Sequence, residues 1–389
     1  MRLDGVCVLD LTRLLPGPYA TQLLADAGAD VVKVEDTGAG DYARHMPPVT
    51  DDGVGAVFDA VNRGKRSAAI DLKDDDGRSA FHALVADADV VIESFRPGVT
   101  DRLGIDYESL TDHRPDLVYC SVTGYGQAGP YADRAGHDLN YIGLAGLLDM
   151  TRQSDREAPR IPGYQVADMA GGLLAAFSVC SALLSRELAN TGGEYLDVAL
   201  TDAVVSFAQA LAPEALGGDE PRPGETPLTG QYPWYDVYET KDGRYVTLGA
   251  LEPQFWSAFC DAIDREDLVD AHMTGDPAER AALREELVDV FRSRTRDEWA
   301  DAMTDVDAAV DGVYTPAETF EHPQIEARGY VERPADAAPR VGLPVCGSEI
   351  SRDDVGAAPG HGEHTEEVLT AAGLGADDIR RLRGADAIS

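Results

Sequence analysis

Basic residues are scarce in this chain: 33 Lys plus Arg stand against 70 Asp plus Glu in 389 residues, a formal net charge of -37. A surface of that sign repels phosphate backbones and anionic bilayers, which argues against nucleic acid and membrane as partners. Cysteine is rare as well. Cys7, Cys120, Cys180, Cys260 and Cys346 are scattered, odd in number and never in a CxxC pair, so reduced thiols are expected, with no role in metal binding or catalysis. Long apolar runs are missing: the most apolar stretch, Leu173 to Leu184, ends at Ser185-Arg186, short of the roughly 18 to 20 residues of a membrane span. Met1-Arg2-Leu3-Asp4 meets Asp10 and Arg13 with no signal-type cleavage site after it, and a cytoplasmic protein is expected. There is no internal repeat.

Apolar residues are plentiful, at 44%, so the acidity belongs to the surface of a folded protein rather than to a disordered chain. Such an excess of carboxylates self-repels in dilute buffer and is screened within a few ångströms near molar salt, which reads as adaptation to a high-salt cytoplasm, with an acidic protein of an ordinary cytoplasm as the alternative. At this length two domains are expected.

Residues 6–11, 31–35, 68–72, 90–94 and 117–123 read as buried strands, with helices over 18–27 and 76–86 between them. This alternation predicts an α/β fold: a Rossmann-like large domain with an open, mainly parallel sheet covered by helices. A long helix over 168–187, a strand over 195–199 and a helix over 201–211 follow. Gly217-Gly218-Asp219-Glu220-Pro221-Arg222-Pro223-Gly224 then reads as a linker. Two strand-like runs flank Asp242-Gly243, which predicts a hairpin with a type I′ turn. Helices near 253, 277–292 and 296–303 complete a smaller α+β domain. The expected division is 1–216 for the large domain, 217–230 for the linker, 231–328 for the small domain and 329–389 for a C-terminal segment returning to the large one.

Gly124-Tyr125-Gly126-Gln127-Ala128-Gly129 matches the dinucleotide-binding GxGxxG pattern after a strand. Pro130 and a loop-like stretch follow where that motif needs a helix, so these glycines read as a turn or as a close approach of backbone to a ligand. The more informative pair is Gly136-His137-Asp138-Leu139-Asn140-Tyr141 and Val166-Ala167-Asp168-Met169-Ala170-Gly171-Gly172. Each places a proton carrier at an expected helix start, and an enzyme that removes a proton from one face of a carbon and returns it to the other needs two such groups. On spacing alone, His137 and Asp168 fit helix caps as well as catalysts.

Leu15-Pro16-Gly17-Pro18-Tyr19-Ala20, Gly28-Ala29-Asp30-Val31-Val32-Lys33-Val34-Glu35, Asn62-Arg63-Gly64-Lys65-Arg66-Ser67, Glu93-Ser94-Phe95-Arg96-Pro97-Gly98 and Thr123-Gly124-Tyr125-Gly126-Gln127 occur in an order that resembles the family III CoA-transferases, which include the α-methylacyl-CoA racemases. Gly362-Glu363-His364-Thr365 extends the resemblance towards the C-terminus, and the stretches around His137 and 249–255 are similar to the racemase branch. The resemblance implies an interlocked homodimer acting on an acyl-CoA substrate, with no metal and no cofactor beyond the coenzyme A of that substrate. It implies His137 and Asp168 as acid/bases on opposite faces, and Glu252 from the partner chain orienting His137. Burial would raise the Asp168 pKa. Backbone N–H groups around Asp168 and Met169 would receive the enolate oxygen, with Gly171 and Gly172 allowing close approach. Coenzyme A phosphates would meet Arg63, Lys65 and Arg66, with Arg13, Lys33 and Arg96 as further cations, and Gly136, Asp138 and Tyr141 would complete the binding residues. A basic patch paired with neighbouring carboxylates is the alternative for 63–66. The activity so implied is racemisation of 2-methylacyl-CoA thioesters, of use in lipid metabolism, with CoA transfer through Asp168 as nucleophile as the alternative.

Overall fold

The computed structural model describes residues 2–154, 156–333, 338–347 and 356–389. They fall into two compact units, one of residues 1–148, 161–208 and 326–389, the other of 149–160 and 209–325.

Unit 1 is built on six strands: β1 (Cys7–Leu11), β2 (Asp30–Glu35), β3 (Arg66–Ala69), β4 (Val90–Glu93), β5 (Val118–Thr123) and β6 (Glu194–Ala199). All pairings are parallel, in the order β3-β2-β1-β4-β5-β6. Helices α1 (Pro16–Asp26), α2 (Ala56–Asn62), α3 (Asp75–Val85), α4 (Val99–Leu103), α5 (Tyr107–Thr111), α6 (Asp138–Leu144), α7 (Val166–Ala189) and α8 (Leu200–Val205) occupy the connections. The near-continuous apolar strands follow from burial on both faces. Val8, Val31, Val90, Ile92 and Val118 face one core with α1 and α7, while Leu9, Val32, Val91 and Tyr119 face the other with Phe81 and Leu84 of α3. Leu369, Ile379 and Leu382, from helices Thr365–Ala371 and Ala376–Gly384, complete that second core, and Ile388 bridges to Ile70. The strand order reverses between β1 and β4, and a crevice at the C-terminal ends of the strands is expected there.

The 24-residue α7 departs from the sequence reading. An 18-residue window within it has a mean hydropathy of 1.7, so it is long and apolar enough to cross a membrane by length and composition. Its Ala167, Ala175, Val179 and Ala182 lie in the core, whereas Leu173, Phe177, Leu184 and Leu188 form an exposed stripe, with Leu188 79% exposed. Gly171 and Gly172 have a structural reason. A Cβ at Gly171 would fall 2.1 Å from Leu200 of α8, and one at Gly172 2.5 Å from the Pro16 carbonyl of α1, so these glycines admit neighbouring helices rather than a ligand.

In unit 2, which includes the short helix α9 (Ala212–Gly217), strands β7 (Tyr235–Glu239), β8 (Tyr245–Gly249) and β9 (Val310–Gly312) form an antiparallel sheet that shares one core with α10 (Pro253–Ala262), α11 (Pro277–Phe291) and α12 (Arg296–Met303). All three tryptophans, Trp234, Trp256 and Trp299, sit in its core. The hairpin forms, but without the type I′ turn. Gly243 alone has positive φ, while Asp242 accepts from the Thr240 hydroxyl and the Arg296 amide, which holds a wider loop. The expected linker belongs to this unit: residues 149–160 join it, and Arg222 pairs with Glu220 and Asp149.

Candidate active site

A cavity of about 730 Å³ opens at the strand ends of unit 1. Leu11, Arg13 and Leu14 reach it from β1, Ser94 to Pro97 from β4, and Val122 to Gly124 from β5; Arg134, His137, Tyr141 and Asp168 close it. The crevice expected from the strand reversal is therefore occupied by both proton carriers that the sequence singled out.

Their surroundings differ. His137 is exposed at the N-cap of α6, where Asn140 Oδ1 accepts its backbone N–H at 3.0 Å. Asp168 is the third residue of α7 and does not cap it. That role falls to Asp138, whose Oδ1 accepts from the amides of Ala167 at 2.7 Å and Asp168 at 3.1 Å. Burial first, and then the charge of Asp138, push the Asp168 carboxyl up to about 7. No described residue hydrogen-bonds that carboxylate, so it is free to hold or give up a proton at the cavity wall.

This cap overturns two expectations. Asp138 is committed to α7 rather than to a ligand, and the Asp168 amide is occupied. The Met169 amide donates to the Gln165 carbonyl at 3.0 Å, so neither amide is available to an enolate oxygen.

Tyr141 has a clear structural role beside the cavity. Its phenol donates to the Gly136 carbonyl at 2.6 Å, and its ring fills the space that a Cβ at Gly124 or Gly136 would need, 2.3 and 2.6 Å away. The ring thus fixes the backbone leading into His137. Two of the glycines seen as motif residues are spacers for this ring, and no helix begins until Asp138.

The basic residues divide sharply. Lys65 is fully buried on Asp10, Thr21, Asn62 and the Pro18 carbonyl. Lys33 is fully buried on Asp41 and the Thr12 carbonyl. Arg63 is buried on Asp26 at 2.5 Å, and Arg66 opens β3, at the sheet end opposite the cavity, paired with Asp30 and Glu367. The expectation that Lys33, Arg63, Lys65 and Arg66 meet phosphates is therefore corrected, because their charges are spent on neighbouring carboxylates. Arg13 and Arg96 do line the cavity, and Arg134, which the sequence reading missed, joins them. Arg96 and Arg134 form no ion pair among the described residues, and the Arg134 guanidinium lies 3.8 Å from the centre of the Tyr131 ring. Glu93 was also missed. At the end of β4 it accepts the Phe95 amide at 2.7 Å, and burial pushes its carboxyl up to about 7; strand position alone gave no signal of this. Glu252 belongs to unit 2, where it stands exposed before Pro253 at the start of α10.

The sequence profile of CoA-transferase family III matches residues 3–365. The chain belongs to this family. Family members split between two chemistries. A succinyl-CoA:mesaconate CoA-transferase of Haloarcula hispanica is 37% identical, over 96% of this chain and 97% of its own length. An alpha-methylacyl-CoA racemase of Homo sapiens is 32% identical, over 98% and 96%. Among solved structures, a CAIB/BAIF family protein from Brucella suis superposes with a TM-score of 0.82 at 33% identity, covering 95% of this chain and 99% of that one. An acyl-CoA substrate is consistent with this membership.

Proposed function

We propose that this family III member is an acyl-CoA racemase. It epimerises the α-carbon of a 2-methylacyl-CoA by 1,1-proton transfer through an enolate. The observation that carries this reading is Asp168, an unpaired carboxyl held near neutrality in a cavity it shares with His137. A group that must both give and take a proton works best when its pKa lies near the operating pH. One of the pair abstracts the α-proton and the other returns a proton to the opposite face; the reverse assignment serves the other enantiomer. Because the helix amides are taken, the enolate charge falls to the cavity's arginines. Coenzyme A enters as part of the substrate, and no resident cofactor is invoked.

The second reading is CoA transfer, favoured by the 37% identity to a transferase. There the ionised Asp168 attacks the thioester carbonyl and coenzyme A leaves as the thiolate, giving an acyl–aspartyl anhydride. The free acid attacks the aspartyl carbonyl and releases the first acyl group as its carboxylate, and the thiolate then attacks the new acyl group, forming the new thioester and restoring Asp168. A carboxyl held near 7 is only partly ionised at neutrality, which serves a proton carrier better than a nucleophile.

The remaining parts of the proposal rest on surfaces. The exposed apolar stripe of α7 supports a homodimer, whose partner would supply Glu252 to orient His137. The charge of -37 supports a cytoplasm rich in salt. Proton NMR of a single-enantiomer 2-methylacyl-CoA in D2O at molar salt tests the chemistry. Loss of the α-proton with epimerisation, abolished by His137→Ala, is expected. An unchanged α-proton, with exchange of coenzyme A onto an added free acid that survives His137→Ala, replaces racemisation by transfer.

A further inference from the structure

Leu14 is strained. Its φ is +67°, a left-handed conformation that L residues other than Asn and Asp rarely adopt and that a bulky side chain disfavours. It sits between Arg13 and the start of α1, on the wall of the cavity. Such strain persists only where the surroundings impose it, and here they are fully specified. The Leu14 amide donates to Asp41 Oδ1 at 3.0 Å, and the other carboxylate oxygen of Asp41 pairs with Lys33 at 3.0 Å, both side chains having no exposed surface. The same ammonium donates to the Thr12 carbonyl at 2.9 Å, and the Thr12 amide donates to Asp10. The Arg13 amide donates to Ser94 at 3.2 Å. Three successive amides, 12 to 14, are therefore gripped from below by buried or half-buried side chains.

The outcome is the direction taken by Arg13. Its guanidinium lies 5.4 Å from the Tyr42 ring centre and 6.0 Å from that of Phe95, both cavity residues, with Asp36 at 3.0 Å engaging one end of the fork. Arg13 lines the cavity together with Arg96 and Arg134. An arginine tethered at one end and flanked by two aromatic rings loses little freedom when it binds an anion.

We propose that Asp41, held by Lys33, pins the left-handed turn at Leu14 and so aims Arg13 into the cavity as a binding group for the anionic part of an acyl-CoA. Asp41 and Leu14 are positioning residues, and the proposal rests on the acyl-CoA reading of the cavity. A Lys33 whose neighbours are Asp10, Asp41 and Glu35 is a firm anchor: desolvation opposes its charge, yet those three carboxylates outweigh it and keep the ammonium protonated.

Calorimetric titration of the full chain with coenzyme A tests this without requiring turnover. Arg13→Ala is expected to weaken binding about tenfold, the loss of one charge-assisted hydrogen bond. Leu14→Val, whose β-branch excludes the left-handed region, is expected to weaken it about as much, and to add nothing in the Arg13→Ala background. Leu14→Gly removes more of the side chain but allows the turn, so its affinity stays within about twofold of wild type. Asp41→Ala behaves like Leu14→Val and is rescued by adding Leu14→Gly. Additive losses for Leu14→Val and Arg13→Ala, or a Leu14→Gly chain as weak as Leu14→Val, overturn the proposal while leaving the acyl-CoA reading in place. A wild-type chain that binds no coenzyme A overturns that reading and this proposal with it.

Discussion

Two charged regions lie within one sheet's reach of each other and obey opposite rules. Beneath the loops after β1 and β2, Asp10, Lys33, Lys65, Asp41, Glu35 and Arg44 are buried and mutually paired. At the cavity, His137, Asp168, Arg96 and Arg134 have charge or protonation capacity and no ion-pair partner among the described residues. In the first region burial alone would raise the Asp10 carboxyl, but Lys33 and Lys65 outweigh it and hold its pKa far below normal. In the second, burial meets no cation and Asp168 rises towards neutrality. Desolvation acts on both carboxylates; the presence of a partner decides its outcome, and with it whether a charge serves architecture or chemistry.

The comparison breaks most visibly at Asp168. Asp168→Asn keeps the size and removes the proton carrier, so α-proton exchange should fall by about 10²–10⁴-fold, the usual contribution of a positioned acid/base, with the melting temperature unreduced. A large loss of stability instead would make Asp168 an architectural residue. On the other side, Lys65→Met removes one partner of a buried pair and should cost about 3–5 kcal/mol in denaturant unfolding. Coenzyme A affinity of the folded fraction should stay near wild type. A fall in affinity without a fall in stability would return Lys65 to the binding site from which its contacts exclude it.

Glu93 sharpens the contrast because it is buried without a cation. Its folded pKa, about 7 against 4.5, means that the folded state holds a proton that the unfolded chain gives up. Its contribution is therefore fully present below about pH 4.5 and is lost as pH rises towards 7. Glu93→Gln should match wild type near pH 4.5 and exceed its melting temperature at pH 8; equal melting temperatures at both pH values would show that the ionised Glu93 is compensated in the folded state. The smallest effect is expected for Tyr141→Phe, about 1 kcal/mol for the lost bond to the Gly136 carbonyl, seen as a modest drop in both stability and the rate at His137. No change in either would remove Tyr141 from the support of that backbone.

Much of this was legible in the chain. The run of apolar strands with helices between them reports burial on both faces of a parallel sheet, because that environment imposes a local pattern. That His137 and Asp168 belong to one site was legible too, from the family-like stretches that hold them, and both line the cavity. The division of the cations was not. Arg63, Lys65 and Arg66 lie within four residues and look alike in sequence, yet Lys65 turns onto Asp10, 55 residues away, and Arg63 onto Asp26, 37 residues away. The pairing of Asp138 with the start of α7 was equally hidden, and with it the loss of the amides expected to serve an enolate.

The sequence by itself determined the sheet, the helices on its faces and the acidic net charge, since each is set by the type and local spacing of residues. Only the tertiary structure decided which charges are spent and which are free. That depends on which carboxylate the fold brings within about 3 Å, and on how much water burial removes, neither of which is encoded in any short stretch of chain.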